Sequence, residues 1–377
     1  MLNVNDLRQS VSGAHRVVVK VGSSSITLPE GGVDGFRLQS LSTAIAKKWQ
    51  AGTQVILVSS GAIAAGMLAL GLERRPKDLA TQQAAASAGQ GSLMATYTQA
   101  FSAFGLNVGQ VLLTADDMHR RSHYVNASRT LERLLELEVV PVINENDTVA
   151  TDEIRFGDND RLAALVAQLV DADALVLLSD VDALYDGHPS KPGTSRIPLV
   201  KDADDLIDID IATTGSNVGT GGMVTKVGAA SMAAAEGIPV LLTSATQVHE
   251  ALTGEDVGTL FAPTGPKKSA RRRWLAHASH VTGRLILDAG AVEAVVKRQT
   301  SLLPVGVTRI EGTFDAGDTV DLCDPQGKPV ARGLVGYGAK ELQPLVGHRL
   351  DDLTSRISPR GRGPGRTVVR RDDLVVL

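Results

Sequence analysis

Aromatic residues are scarce in this chain, with six Phe, four Tyr and two Trp among 377 positions. Its interior must therefore be filled by Ala, Val, Leu and Ile. A single cysteine, Cys323, excludes a disulfide framework and a cysteine-built zinc site. No stretch approaches the roughly 18 uninterrupted apolar residues of a membrane span. The opening MLNVNDLRQSVSG lacks the basic start and apolar run of a secretory signal. The expectation is a soluble, cytoplasmic protein without membrane association. What is present suits a folded α/β protein. Hydrophobic residues make up 43% and charged residues 21%, with 38 glycines, a mixture found in parallel sheets buried on both faces.

The net charge of −4 conceals a division. Residues 267–377 hold 19 Lys/Arg and 12 Asp/Glu, a balance of +7, whereas the 266 residues before them hold 19 and 30, a balance of −11. The change falls at Pro263–Arg273, where Pro, Gly and clustered charge read as a linker. The expected organisation is one body over 1–264, a linker over 265–282 and a second body over 283–377. A basic second body is compatible with nucleic acid, but an excess this small reads better as a solvated linker beside an ordinary surface.

Before the linker, short apolar runs alternate with helical patterns. Arg16–Val21, Gln54–Val58, Val108–Leu113, Val139–Ile143, Ala174–Leu178 and Ile238–Leu242 read as buried parallel strands. Phe36–Ala51, Ala62–Gly71, Ser122–Glu138, Asp160–Asp171 and Thr225–Glu236 read as helices. The alternation predicts an open, mainly parallel sheet sandwiched by helices, with ligands gathered at the carboxyl ends of the strands. After the linker, Asp318–Leu322, Pro329–Leu334 and Arg366–Val369 are short Val- or Leu-containing runs separated by turns, the mark of a small β-rich unit.

Polar residues collect where the strands end. Lys20-Val-Gly-Ser-Ser-Ser25 closes the first strand with a cation and a small-residue loop that lets backbone N–H groups approach phosphate. Its spacing is not that of a Walker loop. Ser59-Ser-Gly-Ala62 leads into a helix; taken alone, it reads as a capping serine with a close-packing glycine. Asn144-Glu-Asn-Asp147 and Gly157-Asp-Asn-Asp160 bring more amides and carboxylates together than capping requires, and their spacing is not that of a calcium loop. Such a set suits an ammonium-bearing substrate and the orientation of lysines. Ser179-Asp180 follows another strand, in a position to meet a nucleotide. Gly219-Thr-Gly-Gly-Met-Val-Thr-Lys226 combines a glycine-rich turn, a helix start and a second lysine. Two lysines, two N–H cradles and an acidic-amide pocket together describe a phosphoryl-transfer site.

These motifs, in this order, resemble those of the amino acid kinase family, and the Asn144–Asp147 and Gly157–Asp160 pair resembles the members that phosphorylate L-glutamate. The region from about Leu285 onward resembles a PUA domain. The resemblance implies ATP-dependent phosphorylation of the γ-carboxylate of L-glutamate to L-glutamyl 5-phosphate, the first step of proline synthesis from glutamate. Under it, Lys20 and Lys226 contact ATP phosphates and stabilise the transferring group, and Asp160 holds both lysines. Ser60, Asp147 and Asn159 bind glutamate, Asp147 through the α-ammonium, with Asn144 and Asp158 as further candidates for that pocket. Ser179 and Asp180 lie at the nucleotide, and Thr220, Gly221, Gly222, Met223, Val224, Thr225 and Lys226 wrap its phosphates. Mg²⁺ is implied, held by nucleotide oxygens and water with no protein ligand assigned. A carboxylate acceptor is already ionised, its reference pKa being about 4.3. No general base is needed, in keeping with the absence of the eight histidines from these motifs.

The resemblance further implies feedback inhibition by proline and a homo-oligomer. It puts Thr81–Gly105, with its Ala84–Gln90 stretch, near the inhibitor; the same stretch reads equally as a helix packed closely through alanine. Two rival readings stay open: a related kinase acting on another carboxylate, against which Asp147 speaks if the amine is acylated, and RNA binding by the C-terminal unit. Lys267–Arg273 and Arg360–Arg366 favour the latter, while the scarcity of stacking aromatics beyond Trp274 and Tyr337 opposes it.

Overall fold

The apolar runs become adjacent strands of one sheet in a computed structural model that describes residues 3–149, 159–188, 193–202, 204–206, 222–265, 281–298, 300–348 and 367–377. Two compact units divide the chain, one formed by Met1–Met118 and Tyr124–Lys268, the other by His119–His123 and Ser269–Leu377. The first unit runs α1 (Val4–Ser12), β1 (Arg16–Val21), α2 (Gly35–Gln50), β2 (Gln54–Val58), α3 (Ala62–Ala69), α4 (Leu79–Ser102) and β3 (Asn107–Leu113). It continues through α5 (Ala115–His119), α6 (Arg121–Glu136), β4 (Val139–Glu145), α7 (Asn159–Leu169), β5 (Ala174–Ser179) and β6 (Leu199–Val200). The last elements are α8 (Met223–Ala235), β7 (Val240–Ser244), α9 (Val248–Thr253) and β8 (Thr259–Phe261).

The sheet has the order β3-β4-β2-β1-β5-β7-β8-β6. Neighbours from β3 to β7 are all parallel, and β8 reverses against β7. Because successive side chains in a strand point to opposite faces, Val17, Val19 and Val21 join the core formed with Leu38, Leu41 and Ile45 of α2. Val18 and Lys20 then point to the other face, where α7 lies against β1 and β5. The chain leaves β1 toward β2 on one side and later returns to β5 on the other, so the carboxyl end of β1 is a topological switch point.

Caps fix several helix starts. Asn3 and Asp6 form a reciprocal capping box on α1, and Asp34 and Asp78 accept from the third-residue N–H of α2 and α4. Arg8 of α1, buried, donates to the Glu255 and Val257 carbonyls and pairs with Asp256 at 2.6 Å, tying the first helix to the approach to β8. The helices α3 and α4 cross at Gly66 and Gly89. A Cβ on Gly66 would fall 1.9 Å from the Ala85 carbonyl oxygen, and one on Gly89 1.9 Å from that of Ala62. Only glycine allows this approach.

The second unit carries a sheet of order β10-β9-β11-β12-β13, comprising β9 (Val281–Leu287), β10 (Val307–Gly312), β11 (Thr319–Cys323), β12 (Pro329–Val335) and β13 (Val369–Val376). Leu285, Leu287, Val320, Leu322, Val335 and Phe314 form its core, and Cys323 is buried.

Several expected boundaries shift. The strand expected at Ile238–Leu242 starts at Val240, because Pro239 has no N–H to give the ladder. The run expected at Arg366–Val369 is corrected to Val369–Val376; Arg366 lies outside the described residues. The linker residues 266–280 and the basic stretch Arg360–Arg366 also lie outside them. Among the described residues, no helix is long and apolar enough to cross a membrane.

Candidate active site

Lys20 comes from the inward-facing parity of β1, Asp160 from the first turn of α7 and Lys226 from the first turn of α8. Asp160 is fully buried; its Oδ1 pairs with Lys20 Nζ, and its Oδ2 lies 3.4 Å from Lys226 Nζ. Both lysines are themselves buried. An anion in the first turn of a helix is favoured by the helix dipole, whereas a cation there is opposed by it. Asp160 thus suits α7 by itself, while Lys226 works against α8 and is offset by Asp160. Two ammoniums on one carboxylate give the three groups a formal charge of +1, complementary to an anion. The loop Gly22–Ser25 that follows β1 lies next to this cluster: a Cβ on Gly22 would stand 3.9 Å from Lys20 Nζ.

A second cluster is built from amides and hydroxyls. Asn159, the first residue of α7, directs Nδ2 at the Ser59 carbonyl (2.8 Å), Ser60 Oγ (2.9 Å) and Asn144 Oδ1 (2.9 Å). Asn144, near the end of β4, accepts from the Glu145 N–H at 2.9 Å and donates from Nδ2 to Gln90 Oε1 at 2.9 Å. Ser59 Oγ lies 2.9 Å from the hydroxyl of Tyr97, a fully buried phenol whose pKa burial pushes well above the usual value. Since Asn159 and Asp160 are consecutive, the amide cluster and the lysine cluster share the start of α7. Asp147 sits two residues beyond β4, half-buried, in a turn held by the Asn146 N–H on the Leu113 carbonyl at 2.9 Å.

Of the residues expected at the nucleotide, Ser179 ends β5 and donates to Asp180 Oδ1 at 2.9 Å, leaving Asp180 on the exposed side. Gly222, Met223, Val224 and Thr225 open α8 ahead of Lys226. Met223 is buried, Val224 is exposed, and Thr225 Oγ1 donates to the Gly222 carbonyl at 2.8 Å. Thr220, Gly221 and Asp158 lie outside the described residues. The structure therefore joins Lys20, Asp160 and Lys226 directly, and Ser60, Asn144 and Asn159 directly. It puts Asp147 at the carboxyl edge of β4 and Ser179 at that of β5.

Two members of the amide cluster have no motif of their own. Gln90 and Tyr97 both come from α4, seven residues apart and hence on one helix face. The sequence marks them by that spacing inside an Ala-rich helix and by their place in the Thr81–Gly105 stretch, which the resemblance puts near the inhibitor.

The profile of the amino acid kinase family matches residues 15–244, and that of the PUA domain matches residues 283–356. The chain is 58% identical over 371 residues to a glutamate 5-kinase of Streptomyces coelicolor, covering 98% of each sequence. It is 54% identical to a glutamate 5-kinase of Thermobifida fusca, covering 99% of this chain and 96% of that one. A glutamate 5-kinase of Bifidobacterium adolescentis is 50% identical, with 98% of each covered. With the family profile over most of the first unit and this likeness along almost its whole length, the chain belongs to the amino acid kinase family, in its glutamate 5-kinase branch bearing a PUA domain.

Proposed function

We propose that the protein transfers the γ-phosphoryl group of ATP to the γ-carboxylate of L-glutamate, giving L-glutamyl 5-phosphate, the first step of proline synthesis from glutamate. The observation that carries this reading is the sharing of buried Asp160 by Lys20 and Lys226 at the carboxyl ends of parallel strands. Two anions must approach each other for the reaction to occur. Fixed ammonium groups in a dry site reduce that repulsion without having to reorganise as charge moves. Lys20 and Lys226 would contact the nucleotide phosphates, and Asp160 would hold both in place. Ser60, Asn144, Asn159 and Asp147 would form the glutamate site, with Asp147 opposite the α-ammonium. Ser179 and Asp180 would meet the nucleotide, and residues 220–226 would wrap its phosphates.

Magnesium supplies further charge neutralisation when it arrives with the nucleotide. Among the described residues, no three His, Cys, Asp or Glu side chains group together. Asp160 already carries two lysines. The resemblance assigns the ion to nucleotide oxygens and water, with no protein ligand, and no protein step depends on it.

Residues 1–264 form the kinase unit in this reading, 265–282 the linker and 283–377 the PUA domain. Cytoplasmic location, inhibition by proline and a homo-oligomeric state accompany it. RNA binding by the PUA unit is not adopted, because the positive excess is modest and stacking aromatics are scarce; Lys267–Arg273, Trp274 and Arg360–Arg366 lie outside the described residues. The test of the central reading is hydroxamate trapping of an acyl phosphate formed from glutamate and ATP, with free proline as competitor. Formation of the γ-hydroxamate is expected. Its absence with glutamate, alongside its formation from aspartate or N-acetylglutamate, would move the protein to another carboxylate.

A further inference from the structure

The amide cluster has a direction, and backbone groups fix it. A backbone N–H can only donate, so the Asn144 atom 2.9 Å from the Glu145 N–H must be its carbonyl oxygen. A backbone carbonyl can only accept, so the Asn159 atom 2.8 Å from the Ser59 oxygen must be its amide nitrogen. With Asn144 Oδ1 facing Asn159, its Nδ2 faces Gln90, and Gln90 must present Oε1 in return. No carboxamide in the series can flip without placing two donors or two acceptors together.

The two ends of the series are then determined. Asn159 is left with an acceptor, Oδ1, and Gln90 with a donor, Nε2. Both atoms are buried and have no hydrogen-bond partner among the described residues. Buried polar groups are otherwise almost always paired. An α-amino acid carries the complementary pair on one carbon, an ammonium donor and a carboxylate acceptor.

We propose that Gln90 is a specificity-determining residue of the amino acid site, donating from Nε2 to the α-carboxylate of the substrate while Asn159 Oδ1 accepts from the α-ammonium. The inference rests on the reading of this cluster as the glutamate site. It assigns the α-carboxylate to helix α4, outside the strand-end motifs. A site built around such a donor discriminates strongly against a ligand lacking the matching group.

The test uses the full chain with Gln90→Glu and Gln90→Met. Gln90→Glu keeps an oxygen for Asn144 Nδ2 and so keeps the network, but turns the donor into an anion. Its glutamate KM is expected to rise at least thirtyfold, with the ATP KM and the melting temperature unchanged. Gln90→Met should raise the glutamate KM about tenfold. Gln90→Glu, which keeps the network, should not weaken competitive inhibition by 4-aminobutyrate, which is glutamate without its α-carboxylate. A glutamate KM within threefold of wild type in Gln90→Glu overturns the proposal. So does an equal loss for glutamate and 4-aminobutyrate, which would make Gln90 a support for Asn144 alone. Where 4-aminobutyrate does not inhibit the wild type, the Gln90→Glu KM decides. Failure of the wild type to form glutamyl hydroxamate would instead sink the reading of the site itself.

Discussion

Lys226 lies in the first turn of its helix, where the dipole opposes a cation, and Asp160, from the first turn of the neighbouring helix, lies 3.4 Å from it. Asp160 also pairs with Lys20. A buried carboxylate that loses such partners is costly, on the order of 3–5 kcal/mol, so the geometry of either lysine depends on the other two groups.

Replacing Lys20 or Lys226 by alanine is therefore expected to lower turnover by two to four orders of magnitude, equivalent to roughly 3–5 kcal/mol. Asp160→Asn should fall in the same range, because it releases both ammoniums. Steady-state rates on folded variants, checked by circular dichroism, decide the matter. Near-normal turnover in both lysine variants would remove them from the chemistry.

Asp147→Asn keeps the size of the side chain and removes its charge. If it faces the α-ammonium, the glutamate KM should rise by about tenfold or more, on the scale of a lost charged hydrogen bond of roughly 1.5–3 kcal/mol. The ATP KM should move little. Equal effects on both apparent affinities would argue against the pairing.

Tyr97 offers a test by pH. Burial holds its phenol above the ordinary value of 10.0, the hydrogen bond with Ser59 opposing this only in part. The folded state thus keeps a proton that the unfolded chain gives up first. The associated stability is intact below the unfolded value of 10.0 and is lost as pH rises from there toward the folded value. Chemical denaturation between about pH 9 and 11 should show a shallower alkaline loss in Tyr97→Phe than in wild type. At neutral pH, that variant should be less stable by about 1 kcal/mol, for one buried hydrogen bond. Parallel curves across the alkaline range would contradict the assignment.

Gly89→Ala places a methyl carbon 1.9 Å from the Ala62 carbonyl oxygen. Backbone has to move, and a loss of about 3 kcal/mol or more is expected from overpacking of this kind. Thermal melts of this variant and of Gly91→Ala, where a Cβ meets nothing within 4 Å, provide the comparison. Equal melting temperatures would show that the crossing of α3 and α4 can relax.

The sheet was legible because its central strands are rich in Val, Leu and Ile and closed by polar loops. Arg16–Val21 and Gln54–Val58 coincide with the expected bounds to the residue. The reversed strand β8 was not, since three residues carry no readable period. The first helix escaped notice although Asn3 and Asp6 spell out its capping box. The lysines, Asp160 and the amides were visible as motifs at strand ends, but their pairing depends on which face of β1 bears Lys20. Gln90 and Tyr97 were bracketed only loosely, within the Thr81–Gly105 stretch, for a different reason. They sit in a 24-residue helix whose near-uniform small residues leave no polar face to mark them, and their partners are remote in the chain.

At Gly66 and Gly89 the two helices meet backbone against backbone, with no side chain between them to act as a bearing. A side chain at either position would hold the shorter helix away from the longer one, and with it the turn at Ser60 and Gly61 from which that shorter helix starts.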